Sequence, residues 1–486
     1  MGRATQRLTN WWVSKGPQYL PFADVATADL PLRRLLRLSF FQVTTGMALV
    51  LLVGTLNRVM IVELDVPASL VGLMLALPLV FAPFRALIGH KSDTHRCELG
   101  WRRVPFIWKG TMWQFGGFAI MPFALLVLAG KGESGSAPIW IGQFSAALSF
   151  LLVGAGVHTV QTAGLALATD LTPRKSHARV VGLMYVMLLL GMMISALLFG
   201  MALKEFTPGR LVQVIQTAAL LTVVLNGVAM WKQETRNPRR GAEPQAPDPT
   251  FSESWAAFCE GEHTRRRLAI VGIGTLAFAM ADVLLEPFGG QVLSMSVSAT
   301  TKLTALLALG GLVGFAFASR RVDRGADPYQ MAQYGTLIGL PAFALVIAAA
   351  PMGMIELFLV GNFLIGFGGA LFGHGTLTAT MHGAPEAQSG LALGAWGAVQ
   401  ATAVGVAMVL SGAARDVAVA IWGQGDGLLG LGGTATAYYF VYITEIAFLV
   451  LTALATWPLL RGASRRLAKP SATKAPDLAG RTVSGG

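Results

Sequence analysis

The chain has 486 residues, of which 54% are hydrophobic and only 13% are charged. This composition excludes an ordinary soluble globular protein and indicates a polytopic membrane protein. The formal net charge of +12 comes largely from loops between apolar segments, so no nucleic-acid partner is needed to explain it.

Apolar segments long enough to cross a bilayer recur along the whole chain. A span needs about 20 residues to cross roughly 30 Å of hydrocarbon. The predicted fold class is therefore an all-α membrane protein with twelve transmembrane helices. The predicted spans are residues 38–62, 68–89, 104–130, 138–169, 178–203, 211–231, 268–293, 302–319, 329–350, 354–381, 389–413 and 434–460.

Basic residues mark one side of the membrane. They cluster before span one, after spans two, four, six and eight, and after span twelve, whereas the other side has only isolated cations. The positive-inside rule therefore predicts that both termini are cytoplasmic. We expect residues 1–37 to form a cytoplasmic or interfacial segment, residues 232–267 a cytoplasmic linker, and residues 461–486 a basic cytoplasmic tail.

A sequence repeat divides the membrane region in two. One copy joins spans four and five, and the other joins spans ten and eleven. The matched positions, offset by 212 residues, are Ala168–Pro173 with Thr380–Pro385, Gly154 with Gly366, Gly156 with Gly368, and Gly182 with Gly394. We therefore predict two related six-helix halves, residues 38–231 and 268–460, with a binding site where the halves meet.

The loop after span two carries a charged motif that starts at Gly89. A Gly, an Asp four residues later and nearby arginines resemble the loop signature of the major facilitator superfamily, in which these charges grip neighbouring helix ends. The predicted charge relay comprises Asp93, Arg96, Arg102 and Arg103, with a weaker echo at Asp323 and Arg324 after span eight. Asp170 and His382, equivalent in the repeat and at cytoplasmic helix ends, are interpreted as residues that lock the adjoining loops. Ordinary loop charge is the alternative interpretation.

Span seven contains two acids, Asp282 and Glu286, on one helix face, followed by Pro287. A proline ring clashes with the carbonyl four residues earlier, so we predict a helix broken beside acidic groups. At 1.5 Å per residue the acids lie roughly 21–27 Å into the membrane, and Arg58 of span one lies at about 30 Å. Because charges at this depth need a partner or a wet cavity, we predict that Arg58 pairs with one acid. This ion pair would either hold the two halves together or form a gate or a cargo contact. Glu445 in span twelve is interpreted as a packing or pairing residue.

Two histidines stand inside spans, His158 in span four and His374 in span ten. The repeat offset maps His374 to within one helical turn of His158, so both should face similar directions in their halves. Neutral imidazole is a common metal ligand. The two residues are therefore candidate axial ligands for the magnesium of a porphyrin-type pigment, although hydrogen-bonded packing histidines are the commoner case.

Four motifs carry a resemblance that extends over about residues 30–460. They are Gly54-Thr-Leu-Asn-Arg-Val-Met-Ile-Val-Glu-Leu64, Ser92-Asp-Thr-His-Arg96 with Gly100-Trp-Arg-Arg-Val-Pro105, Asp282-Val-Leu-Leu-Glu-Pro287, and Gly394-Ala-Trp-Gly-Ala-Val-Gln400. These motifs resemble the PucC/LhaA family, the bacteriochlorophyll delivery branch of the major facilitator superfamily. The resemblance implies the facilitator fold and a role in photosynthetic purple bacteria.

The resemblance further implies an assembly factor for light-harvesting antenna complexes that binds or delivers bacteriochlorophyll to antenna polypeptides. It implies no enzymatic activity and a place in the bacterial inner (intracytoplasmic photosynthetic) membrane. Membrane lipids, pigment-synthesis enzymes and protein-insertion machinery are further expected partners. PucC-type members serve the peripheral antenna and LhaA-type members the core antenna around the reaction centre; chain length and extended termini favour the core antenna here.

Two other functions are compatible with the same spans. A conventional facilitator would move a small solute or drug, with proton coupling through Asp282 or Glu286. The scarcity of polar groups in the central thirds of the spans favours a lipophilic cargo instead. A third possibility is a scaffold whose lipid-facing helices dock antenna polypeptides, with pigment merely trapped between them.

Overall fold

The computed structural model describes residues 32–81, 88, 92, 101–130, 137–172, 177–234, 264–382, 389–422 and 433–467. Within these ranges the chain is helical, and no residue of them belongs to a strand. The described part has 11 helices that are long and apolar enough to cross a membrane, together with the shorter apolar helix Ala68–Leu79. The predicted all-α, multi-pass membrane class is therefore confirmed.

The helices follow the predicted spans in order. They are α1 (Leu32–Glu63), α2 (Ala68–Leu79), α3 (Val104–Leu128), α4 (Ile139–Asp170), α5 (His177–Ala202), α6 (Pro208–Met230), α7 (Thr264–Gln291), α8 (Val297–Asp323), α9 (Pro328–Ala349), α10 (Ile355–His382), α11 (Ser389–Trp422) and α12 (Gly433–Leu467). Most of the predicted linker, and most of both predicted terminal segments, lie outside the described residues. Below, the near end of the bundle is the end where α1 begins and α12 ends, and the far end is opposite.

The sequence repeat is also a repeat of helix packing. Gly154 of α4 packs against α2, and its counterpart Gly366 of α10 packs against α8. Two residues later, Gly156 packs against α3, and Gly368 packs against α9. At each position an added Cβ would collide with the neighbouring helix, so a small residue is required for this close approach. Equivalent glycines therefore join equivalent helices in the two halves.

The two halves meet through α2 against α11, α5 against α8, and α1 against α7 and α8. Gly72 of α2 approaches the Met408 carbonyl of α11, and Gly412 of α11 approaches Ala68. On the other side of the bundle the Ser298 hydroxyl donates a hydrogen bond to the Gly200 carbonyl at 2.5 Å. These contacts lie toward the far end, where the backbones of α2 and α11 approach each other closely.

Helix α1 changes its pitch in its far half. Its first part is α-helical, whereas Val50–Leu56 and Val59–Glu63 are π-helical. A π-helix bonds each N–H to the carbonyl five residues earlier, and such segments occur frequently at functional sites. The wider turn changes which side chains of α1 share a face, and this decides the pairing of Arg58 described below.

Candidate functional site

Two cavities lie side by side between the halves. The first, cavity A, has a volume of about 350 Å³ and is lined by residues of α1, α2, α4, α5, α7, α8, α10 and α11. The second, cavity B, has a volume of about 340 Å³ and is lined by α5, α7, α8, α10 and α11. Met192, Asp282 and Leu307 line both cavities. Apolar walls with a few convergent polar groups are typical of small-molecule sites.

Each predicted histidine lines one of these cavities. His158 of α4 lies on cavity A, and His374 of α10 lies on cavity B. Their carbonyls accept equivalent hydrogen bonds from the hydroxyls of Thr162 at 2.7 Å and Thr378 at 2.8 Å. The His374 ring also packs edge-on against Phe315, with 4.8 Å between ring centroids. The repeat therefore brings both imidazoles to the interface between the halves, but to two adjacent cavities.

The acids of α7 face the same space. Asp282 lines both cavities, and Glu286 lines cavity A. Glu286 is buried and accepts a hydrogen bond of 2.5 Å from the Thr304 hydroxyl of α8. Glu445 of α12 is fully buried, and in the described part of the chain its carboxyl oxygens have no hydrogen-bond partner. The titratable groups that line cavity A are thus one imidazole and two carboxyls, beside the polar side chains of Thr304 and Asn362.

Arg58 has a different partner from the one predicted. Its guanidinium pairs with Glu63 at 2.5 Å and donates a hydrogen bond of 3.2 Å to the Met295 carbonyl. It also lies against Gly290 of α7, where an added Cβ would be 3.1 Å from Nε. The predicted pairing with Asp282 or Glu286 is therefore corrected. The π-helical turn is the reason, because it brings the residue five positions after Arg58 beneath the guanidinium.

Pro287 affects the backbone hydrogen bonds of α7 but does not break the helix. The helix continues through the proline from Ala281 to Gln291, and its interruption lies at Met280, two residues before Asp282. The predicted break beside Pro287 is therefore wrong. The carbonyl of Val283, four residues before the proline, accepts a hydrogen bond of 2.7 Å from the Asn57 amide of α1. A side chain of the other half thus takes the place of the backbone N–H that proline lacks.

The charged residues at the near end form part of the predicted relay. Arg102 and Arg103 both bind the Asp170 carboxylate, at 2.5 Å and 3.1 Å, and so join the start of α3 to the end of α4. The Glu234 carboxylate accepts the backbone N–H groups at the start of α3. Arg324 is exposed after the end of α8. Asp93, Arg96 and the side chain of Asp323 lie outside the described residues.

A second polar network closes the far end. The Asp416 carboxylate of α11 accepts the backbone N–H groups of Ala68 and Ser69, at 3.3 Å and 2.7 Å. Arg415 pairs with Asp416 and donates to the Gln291 side chain of α7 at 2.9 Å. Sequence reasoning missed this network, as it missed Asn57, Glu63 and Thr304. The sequence offered one signal for these contacts: the polar Asn57 lies in span one, and span seven, its counterpart in the other half, contains Pro287.

Comparison with known proteins identifies the relatives of this chain. A sequence model of the family described as "PUCC protein" matches residues 55–464. Protein PucC of Rhodovulum sulfidophilum is 62% identical over 418 residues, which cover 86% of this chain and 92% of that protein. Protein PucC of Cereibacter sphaeroides is 55% identical over 463 residues, which cover 95% of this chain and 100% of that protein.

Comparison with solved structures identifies the fold. A bacterial homologue of the human lysosomal transporter Spinster superposes with a TM-score of 0.62 at 16% sequence identity. The match covers 88% of this chain and 97% of the transporter. The predicted facilitator-type fold is therefore confirmed. At this identity the likeness concerns the fold alone.

Proposed function

The chain belongs to the PUCC protein family, whose members have a photosynthesis-related role, and from this premise we propose that it is an assembly factor for bacterial light-harvesting antenna complexes. It binds bacteriochlorophyll, or delivers it, while antenna polypeptides are inserted into the membrane. The protein handles the pigment without changing it chemically, so no residue is assigned a catalytic role.

One observation carries this proposal: an imidazole stands on each of two adjacent, mainly apolar cavities between the halves. A chlorophyll-type macrocycle is lipophilic and offers its magnesium to a neutral nitrogen ligand. His158 and His374 are the residues that would hold it. The bound pigment supplies light absorption, whereas the protein's contribution is an apolar enclosure and a ligand position.

The partners and the location follow from the family role. The clients are antenna polypeptides, and pigment-synthesis enzymes and insertion machinery are adjacent partners; no nucleic acid is involved. The protein resides in the bacterial inner membrane with both termini cytoplasmic. Chain length and extended termini favoured the core antenna as the client. The chain is, however, 62% and 55% identical to proteins named PucC. Because the resemblance assigns PucC-type members to the peripheral antenna, we propose the peripheral antenna as the client.

A second candidate function is supported by the acids of α7. Asp282 and Glu286 line the cavities, and a facilitator that moves a small solute together with protons needs such carboxyls. Proton-linked uptake of a water-soluble compound into proteoliposomes would establish this alternative. A scaffold without a cargo site would instead assemble antenna normally after both cavities are filled by larger side chains.

The pigment proposal is tested by the absorption spectrum and pigment content of gently purified protein. We expect bound bacteriochlorophyll in the parent protein and a several-fold loss in His158→Ala, His374→Ala or both. His382→Ala is the matched control, because His382 is exposed at the near end of α10. Unchanged pigment in both cavity variants contradicts ligation by these histidines. Absence of pigment, together with normal antenna assembly in a deletion strain, contradicts the function.

A further inference from the structure

The two cavities between the halves differ in the kind of side chain that lines them. Cavity B is lined by five aromatic rings besides the His374 imidazole, namely Tyr185, Phe278, Phe315, Phe372 and Trp396. Cavity A has no Phe, Tyr or Trp among its described lining residues, and its apolar wall consists of aliphatic and methionine side chains. Aromatic rings stack on flat ring systems in preferred geometries, which aliphatic side chains cannot offer. Cavity B therefore favours a flat ring system, and cavity A favours a hydrocarbon chain.

Glycines of α10 leave room for a flat ligand in cavity B. Gly366, Gly369 and Gly373 line this cavity and lie on one face of α10. At Gly373 an added Cβ would have nothing within 4 Å, and at Gly369 its first neighbour would be the Phe278 ring at 3.7 Å. A planar ligand can therefore lie against the backbone of α10, beside His374, the residue that follows Gly373.

The cavities meet at a neck formed by the three residues that line both of them. These residues are Met192 of α5, Asp282 of α7 and Leu307 of α8. Met192 and Leu307 are apolar, and an unbranched methionine side chain adapts its shape readily. Asp282 is the only polar residue of the three. The neck thus offers a passage for a hydrocarbon chain beside one polar group.

Neither cavity alone has the size expected for a macrocycle with a long chain. Their volumes of about 350 and 340 Å³ lie near the lower end of the roughly 300–1,000 Å³ that enclose drug-sized ligands. A chlorophyll-type pigment is larger than such ligands, because an ester joins a long hydrocarbon chain to its macrocycle. The ester matches the polar residue at the neck, since a neutral Asp282 carboxyl donates a hydrogen bond to an ester carbonyl.

We propose that cavities A and B form one divided site for a single molecule, whose ring system lies in cavity B and whose hydrocarbon chain lies in cavity A. The inference rests on the proposed pigment role for the identity of the ligand. It makes His374 the ligand of the pigment magnesium and places His158 beside the chain. The rival arrangement is one pigment in each cavity, each held by one histidine.

Two pairs of probes test the division, because the members of each pair differ in the chain. They are bacteriochlorophyll a with its chain-free acid, bacteriochlorophyllide a, and dodecylpyrene with pyrene. Binding to the full-length protein in lipid nanodiscs is measured by absorption for the pigments and by energy transfer from tryptophan for the pyrenes. Val404→Phe fills part of cavity A, and Gly373→Leu fills part of cavity B. Gly116→Leu is the matched control, because Gly116 lines neither cavity and nothing lies within 4 Å of an added Cβ.

We expect Val404→Phe to weaken the binding of bacteriochlorophyll a and dodecylpyrene several-fold and to leave the chain-free probes unchanged. Gly373→Leu should weaken the binding of all four probes. His374→Ala should weaken the binding of both pigments, and His158→Ala of neither. The parent protein should bind one bacteriochlorophyll a per chain, without the paired circular-dichroism bands of two neighbouring pigments. Thermal unfolding verifies that the variants are folded.

The proposal is overturned if Val404→Phe affects chained and chain-free probes alike. It is also overturned by two pigments per chain with paired circular-dichroism bands, or by loss of pigment in His158→Ala. If the pyrenes show the expected pattern but no pigment binds, the pigment role fails and the divided site stands. If pigment binds and neither probe pair is discriminated, the divided site fails and the pigment role stands.

Discussion

At the scale of single residues, two polar side chains in the far half of α1 contact α7 and the segment that follows it. Asn57 donates to the Val283 carbonyl, and Arg58 contacts Gly290 and the Met295 carbonyl. In a lipid environment each unsatisfied backbone carbonyl is costly, so a side chain that supplies the missing donor stabilises the proline-containing helix. Asn57 and Pro287 therefore function as a pair.

The pairing of Asn57 with Pro287 predicts a non-additive effect on stability. Asn57→Ala should destabilise the protein by about 1–3 kcal/mol, because it leaves the buried Val283 carbonyl without a donor. In a Pro287→Ala background the restored backbone N–H can bond that carbonyl, so the same substitution should have a smaller effect. Thermal unfolding of the four variants in detergent measures the coupling. Additive effects would contradict this account, and Gln216→Ala on the exposed face of α6 is the control.

The ion pair of Arg58 with Glu63 gives a second prediction. Glu63→Gln removes the carboxylate and leaves a buried guanidinium without its counter-ion. The expected loss is about 1–3 kcal/mol, below the range for fully buried pairs because Glu63 is partly exposed. Replacing both partners by Met and Leu should restore part of the lost stability, as measured by the unfolding temperature. Glu205→Gln is the comparison, because its pair with Arg210 is exposed and should contribute little.

At the scale of helices, hydropathy predicted the order and approximate bounds of the spans, but not their internal pitch. The boundaries of α4 and α10 follow from apolar length, and their glycines follow from the repeat. The π-helical turns of α1 and the interruption of α7 at Met280 leave no mark in the hydropathy of these spans. The contact of Asn57 with Val283 joins residues far apart in the chain, so it was not predicted either. The sequence therefore predicted that Arg58 has an acidic partner, but it indicated the wrong acid.

Helix α3 offers a prediction at this scale. The backbone N–H groups of Arg102, Arg103 and Val104 are all accepted by the Glu234 carboxylate, which lies just after α6. A negative charge at a helix start satisfies free donors and complements the helix dipole. Glu234→Ala should therefore destabilise the protein by about 1 kcal/mol, by analogy with the loss of a helix cap. Hydrogen exchange at the start of α3 should increase, while exchange at the start of α9, capped by Asp327, should not change.

At the scale of the whole molecule, the described contacts between the halves are concentrated at the far end. At this end the backbones approach closely at Gly72 and Gly412. The Asp416 carboxylate of α11 also accepts a backbone N–H group of α2, and the Ser298 hydroxyl bonds the Gly200 carbonyl. The cavities with the two histidines lie deeper, toward the middle of the bundle. A ligand that leaves through the far end requires all of these contacts to separate together. A transport cycle therefore requires the far-end contacts to open.

Gly72 tests this directly, because an added side chain there meets the Met408 carbonyl of α11. Gly72→Leu should hold α2 and α11 apart and expose the far end. Gly116→Leu on α3 is the matched control, since nothing lies within 4 Å of an added Cβ at that position. With both natural cysteines replaced by Ser, a Ser69→Cys reporter should react several-fold faster with a bulky maleimide in the Gly72 variant only. Equal reaction rates in both variants would contradict the closure of the far end by this contact. Faster labelling without a change in antenna assembly would show that the closed far end is dispensable for the assembly role.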